Sequence, residues 1–224
     1  MSSLKMPGRF VDVWEGHIFD IGQSRSICVR DALRVKDVTH LLFVDDDIII
    51  PSPDTVLLMM SFLEAKPASI VSGLYYNKSF PHFPLIMNTI LKDGRLRFSF
   101  PIADKEIKKG NSSVLKVGVV PGGFLLVKRE VFETLPWPPF VYNAPEIRAL
   151  CMDPDEHPPG EDVYFSLKTR EAGYELFVDM RRPLLHYAPK FVGPSWLVDE
   201  FVHNATHESE VAATIAELEN EKKV

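Results

Sequence analysis

An α/β fold, with a mostly parallel sheet flanked by helices, follows from three observations on the sequence. The first is the stretch Leu41-Leu42-Phe43-Val44-Asp45-Asp46-Asp47-Ile48-Ile49-Ile50-Pro51, where four apolar residues run directly into three carboxylates. A continuous apolar run this short predicts a strand buried on both faces, as in a parallel sheet covered by helices. The second is that strand-like runs of this kind alternate with helical patterns along most of the chain. The third is the position of the acids at the carboxyl end of the strand, where open α/β sheets gather their ligands. Three adjacent carboxylates repel one another unless a cation or a basic partner is present. Taken alone, they fit a solvated acidic turn as well as a divalent-metal site for a phosphate-bearing substrate.

The remaining elements follow in order. Residues 1–9 carry no pattern, and Phe10-Val11-Asp12-Val13-Trp14 is apolar enough for a short strand. Residues 22–36 predict a helix packed through Ile27, Ala32, Leu33 and Val35. The helix also carries Arg25 and Arg30, which serve either as plain surface charge or as groups facing a diphosphate. Ser52-Pro53-Asp54 predicts a helix start with Ser52 as cap, and Pro67 sets its limit. Residues 69–76 read as a buried strand ending in aromatics, and residues 77–113 as an insertion bearing a hairpin.

Between 117 and 127, two strand-like runs are interrupted by Pro121-Gly122-Gly123. Glycine there permits close backbone approach or an unusual φ. A short helix is expected over 128–135. It leads to Pro136-Trp137-Pro138-Pro139-Phe140-Val141-Tyr142, an aromatic loop whose flat rings suit either the core or a sugar ring. Residues 143–159 read as a long loop, in which Asp153, Asp155, Glu156 and His157 fit solvated charge better than a metal site. Gly160 opens a helix with Val163, Tyr164 and Leu167 inside and Gly173 as its stop. Glu161 and Asp162 in its first turn suit the helix dipole, and alternatively supply a general base aimed into a cleft. A strand over 174–178 precedes His186, and a weak apolar stripe at Val211, Ile215 and Leu218 marks an acidic C-terminal helix.

Composition narrows the partners. With 224 residues, 46% of them hydrophobic, the chain is long enough for one domain with an ample core. A net charge of -6 argues against nucleic acid or an anionic membrane as a general partner. The two cysteines, Cys28 and Cys151, have no metal-ligand spacing, and no apolar run is long enough to span a membrane. A reducing, cytoplasmic setting is the expectation.

The order of these features resembles the GT-A glycosyltransferases, most closely their family 2-like, metal-dependent branch, over residues 10–190. Ser24-Arg25 with its helix is similar to the family's Ala-Arg segment, and Asp45-Asp46-Asp47 to its Asp-x-Asp motif. Pro121-Gly122-Gly123-Phe124 is similar to its donor-sugar and acceptor loop, and Glu161-Asp162 to its Glu-Asp pair. His186 matches the late histidine that completes the metal shell in many members.

The resemblance implies a GT-A-like domain over 1–195 and a helical tail over 196–224. It implies hexosyl transfer, with inversion, from a nucleotide-diphosphate sugar to a hydroxyl of a glycan, lipid or protein. Mn²⁺ or Mg²⁺ would be held by Asp45, Asp47 and His186, with the imidazole favouring Mn²⁺. Arg25, Asp45, Gly122 and Gly123 would contact the donor, and Asp162 would be the base. Two other classes fit part of the pattern. A sugar nucleotidyltransferase calls for a Gly-rich basic loop near the amino terminus, which is not visible. A non-catalytic GT-A-like binding protein fits the lack of a Val-Ile-Pro-Thr-Tyr type opening strand. Only about twenty residues precede the first helix. The expectation is therefore a domain lacking its front, with the 39–44 strand short of a neighbour, poor nucleobase selectivity and a tendency to associate.

Overall fold

The structure, a computed structural model, describes residues 20–78, 82–92, 95–99, 113–151, 158–187, 191–194, 197–198 and 202. In chain order the elements are α1 (Ile21–Leu33), β1 (His40–Val44), β2 (Ile48–Ile49), α2 (Thr55–Ala65) and β3 (Ile70–Gly73). There follow β4 (Asn88–Lys92), β5 (Arg95–Ser99), β6 (Val114–Val117), β7 (Phe124–Lys128), α3 (Arg129–Thr134) and α4 (Pro145–Arg148). The last are α5 (Glu161–Glu171), β8 (Leu176–Asp179), β9 (Leu185–Tyr187) and β10 (Phe191–Val192). The expected hairpin in the 77–113 insertion is β4–β5. The segments at 10–14, 153–157 and 211–218 lie outside the described residues.

The main sheet has the order β1-β7-β3-β8-β6. It is mixed rather than mostly parallel: β3 and β8 pair in parallel, whereas β1–β7, β7–β3 and β8–β6 are antiparallel. Two of these pairs arise because β7 inserts between two strands that run the same way, and the third because β6 adds to the far side of β8. Of the two runs around Pro121-Gly122-Gly123, the second becomes β7, whereas the first shares only Val117 with β6 and beyond it makes a single bridge, Val119 to Met87; β6 and β7 do not pair with each other. A smaller sheet, β10-β9-β2, stands beside the main one, with Ile48 opposite His186.

Alternation along β7 divides the core. Leu125 and Val127 pack with Val29, Ala32, Phe132, Phe140 and Phe165 of the α1, α3 and α5 side. Phe124 and Leu126 pack with Val56, Met59 and Leu63 of α2 on the other side. A period of two with both faces apolar is what a central strand requires. β1 departs from that expectation. It ends the sheet order, Leu42 and Phe43 are only half-buried, and Val44 is 48% exposed. Among the described residues no strand pairs with its outer edge.

The helix ends also differ from expectation at two points. Asp20 caps α1, its Oδ1 accepting from the Gln23 amide at 3.0 Å. Ser52 does not cap α2; its carbonyl instead accepts from the Thr55 hydroxyl at 2.8 Å, and the helix starts after Asp54. The predicted stop of α5 holds, with Gly173 at φ +90°. No helix among the described residues is long and apolar enough to cross a membrane.

Arg129, at the start of α3, donates to the carbonyls of Leu33 and Val35, both at 2.7 Å. It thereby satisfies the carboxyl end of α1 and locks that helix to the end of β7. Arg129→Ala is expected to lower stability by about 2 kcal/mol, since charged hydrogen bonds to a part-buried helix end are lost. The urea midpoint should fall, and an unchanged midpoint would remove Arg129 from this role.

Candidate functional site

The turn between Val120 and Phe124 is clamped by side chains from two elements. The Ser72 hydroxyl lies 2.9 Å from the Pro121 carbonyl and 3.0 Å from that of Phe124. The Gly123 N–H donates to the Tyr75 Oη at 2.7 Å, and the Val120 N–H donates to the Ser166 Oγ at 3.1 Å. The Asp45 N–H donates to the Gly123 carbonyl at 2.8 Å, which fixes the turn over the end of β1. Both glycines serve close approach rather than an unusual φ. A Cβ at Gly123 would lie 2.6 Å from Tyr75 Oη and 2.9 Å from Asp45 Oδ2, and one at Gly122 would overlap the Arg25 guanidinium.

Arg25 projects from α1 into this corner and is 6% exposed. Its Nη2 donates to Asp45 Oδ1 at 2.7 Å and its Nη1 to Glu161. Asp162 follows at the amino terminus of α5, its carboxylate accepting from the Val163 N–H at 2.8 Å and facing the Gly122 amide. One guanidinium therefore faces three carboxylates. Burial opposes the charge on Arg25, but Glu161 and Asp45 outweigh it and hold the group protonated. The acids feel the deficit. Burial, then the charge of Asp162, pushes Glu161 up to about 7, and burial raises Asp162 as well. Asp162 keeps some exposed surface as a residue, but its carboxyl group is desolvated. Burial and the Asp162 charge also raise the Tyr75 phenol, which stays neutral.

A second group forms where β2 meets β9. The His186 Nδ1 lies 2.6 Å from the Tyr76 carbonyl, which can only accept, so Nδ1 carries the hydrogen. In the neutral ring, Nε2 then presents a lone pair 3.2 Å from Asp47 Oδ1. The two atoms are not aligned as a hydrogen bond, and Asp47 Oδ1 is buried without a hydrogen-bond partner. On its other oxygen, Asp47 pairs with Lys78. Asp46 points to solvent.

No family model matches the sequence, and no curated protein is similar to it. The crystal structure of A197 from STIV resembles it in fold, with a TM-score of 0.50 at 20% identity. The match covers 78% of this chain and 76% of that chain.

The expected site residues thus fall into two groups. Arg25, Asp45, Gly122, Gly123 and Asp162 meet around the guanidinium, and Asp47 meets His186. Asp45 is not the partner of Asp47 and His186 in this arrangement; Arg25 holds it. Among the described residues no three metal-ligating side chains converge. Sequence reasoning passed over Tyr75, Ser72 and Lys78. The aromatic end of the β3 segment was the one signal for Tyr75, while a serine in a strand and a lone surface lysine carry none.

The raised carboxyl groups have a measurable consequence. The folded state binds these protons more tightly than the unfolded chain, so stability falls as pH rises from 4.5 to about 7. The denaturation midpoint should decline across that window, and the decline should shrink in Glu161→Gln. A flat profile in the wild type would count against this electrostatic picture.

Proposed function

We propose that this chain is a GT-A-like glycosyltransferase that moves a sugar from a nucleotide-diphosphate sugar to an acceptor hydroxyl. The observation that carries the reading is the meeting of Asp45, Glu161 and Asp162 around Arg25, beside a half-buried Asp47–His186 pair in which Asp47 Oδ1 has no hydrogen-bond partner. The donor set fits a hard or borderline divalent ion: Asp47 and His186 would hold Mn²⁺ or Mg²⁺, with the Tyr76 carbonyl fixing the imidazole. Such an ion, when bound, supplies positive charge beside a leaving diphosphate.

Asp162 takes the proton as the acceptor oxygen attacks the anomeric carbon and the bond to the diphosphate oxygen breaks. Its raised pKa makes it a stronger base, once ionised, than an ordinary aspartate. Arg25 spends two nitrogens on Asp45 and Glu161, so its part is to hold the acids in place. Tyr75 steadies Gly123 over Asp45 and cannot compete for the proton. Gly122 and Gly123 would act on the donor through the residues they let approach, Arg25 at one and Tyr75 and Asp45 at the other.

Release of nucleoside diphosphate from a panel of sugar nucleotides with Mn²⁺ tests the reading. It also separates it from a non-catalytic binding protein and from a sugar nucleotidyltransferase. Asp162→Asn keeps the shape and should lower turnover by about 10²-fold, the scale of general base catalysis, with donor affinity little changed. Near-intact turnover would reduce Asp162 to a helix-start acid.

Asp47→Ala should abolish Mn²⁺-dependent nucleotide binding in calorimetry, and unchanged affinity would remove Asp47 from the cation site. The wild-type rate should fall on acidification through the raised pKa of Asp162, beginning nearer neutrality than for an ordinary aspartate. A rate constant down to the usual aspartate range would contradict the assignment.

A further inference from the structure

Away from the carboxylate cluster, the first turns of α1 and the loop over 137–142 enclose a cavity of about 360 Å³. Trp137, Phe140 and Tyr142 supply one wall, and Asp20, Gln23 and Ile27 the other. Trp137 is 57% exposed and Tyr142 47%, and both of these large rings border one cavity. Exposed aromatic surface gathered in this way marks a binding site more often than a scattered apolar residue does.

We infer that this cavity is a saccharide subsite, seating one pyranose ring with its C–H face on Trp137 and Tyr142. A pyranose has an apolar face and a rim of hydroxyls. The cavity offers flat rings on one side and, on the other, the Asp20 carboxylate and the Gln23 amide, which accept from and donate to hydroxyls. The carboxylate disfavours a phosphate or diphosphate here, and the volume is at the low end of ligand pockets, suited to a single ring.

The walls are preset. The Ser26 Oγ lies 3.1 Å from the Phe140 carbonyl and 3.2 Å from the Phe140 N–H, using both its donor and its acceptor. A Cβ at Gly22 would lie 3.0 Å from the Tyr142 nitrogen, so the loop rests directly on the helix. Ligand binding therefore needs little ordering of the backbone.

The cavity and the carboxylate cluster both draw on α1, and the loop of the cavity is joined to the segment before α5. Arg25 precedes Ser26 on α1, and the Asn143 N–H donates to the Pro159 carbonyl at 2.9 Å, two residues before Glu161. That this sugar belongs to the acceptor rests on the transferase reading; the binding itself does not.

Saturation-transfer NMR on the full chain tests the subsite, without nucleotide or metal. The probes are methyl β-glucopyranoside, methyl α-mannopyranoside, methyl β-galactopyranoside and N-acetylglucosamine, with uridine as a competing flat ring. The expected result is transfer to ring C–H protons of at least one sugar, weakened about tenfold in Trp137→Ala and retained in Trp137→Phe. Gln23→Ala, at an exposed helix position, should weaken it independently, and circular dichroism melts check that each variant is folded. Asp47→Ala should leave sugar binding unchanged, which separates this subsite from the transferase reading. No transfer to any of the four sugars, equal transfer in wild type and Trp137→Ala, or transfer to uridine alone would overturn the proposal.

Discussion

A buried guanidinium is what lets three carboxylates share one end of this sheet. Without Arg25, the charges of Asp45, Glu161 and Asp162 would meet in a desolvated corner with nothing to offset them, a cost of several kcal/mol. With it, α1, the end of β1 and the start of α5 are tied to one point. The neutralisation is incomplete by design of the count, one cation against three anions. Burial, joined at Glu161 by the charge of Asp162, is the reason that Glu161 and Asp162 hold their protons more tightly than free acids do.

The second group depends on register rather than on charge. β9 pairs with β2 so that His186 stands opposite Ile48, one residue after Asp47. A slip of one residue would turn the imidazole to the other face and separate the pair. The Tyr187 N–H donating to the Asp47 carbonyl at 2.8 Å fixes that register at the site itself. The glycines of the central turn follow the same logic of distance: Gly122 makes room for Arg25, and Gly123 for Tyr75 and Asp45. Side chains larger than hydrogen at either position would push apart the groups that the ion pairs draw together.

β1 carries the acids yet lies at the end of the sheet order, with its outer side only part-covered among the described residues. Its hold on the fold comes from β7 alone in that sheet, over five residue pairs from His40–Lys128 to Val44–Phe124.

Much of this was legible in the sequence because it is local. Apolar runs and helical periodicity set α1, α2, α5, β1, β3, β7 and β8 to within a few residues, since both signals depend on neighbours along the chain. The three acids after Val44, the Gly-Gly turn, the Glu161-Asp162 pair and His186 were marked as a chemical set for the same reason: each is a short motif. What the chain alone left open was pairing. The insertion of β7 between β1 and β3, the commitment of Asp45 to Arg25 rather than to Asp47, and the arrival of Tyr75 beneath Gly123 are contacts between residues 20 to 88 positions apart. No periodicity encodes such contacts. They are decided by which faces can be buried together and which charges must be offset once the chain is packed.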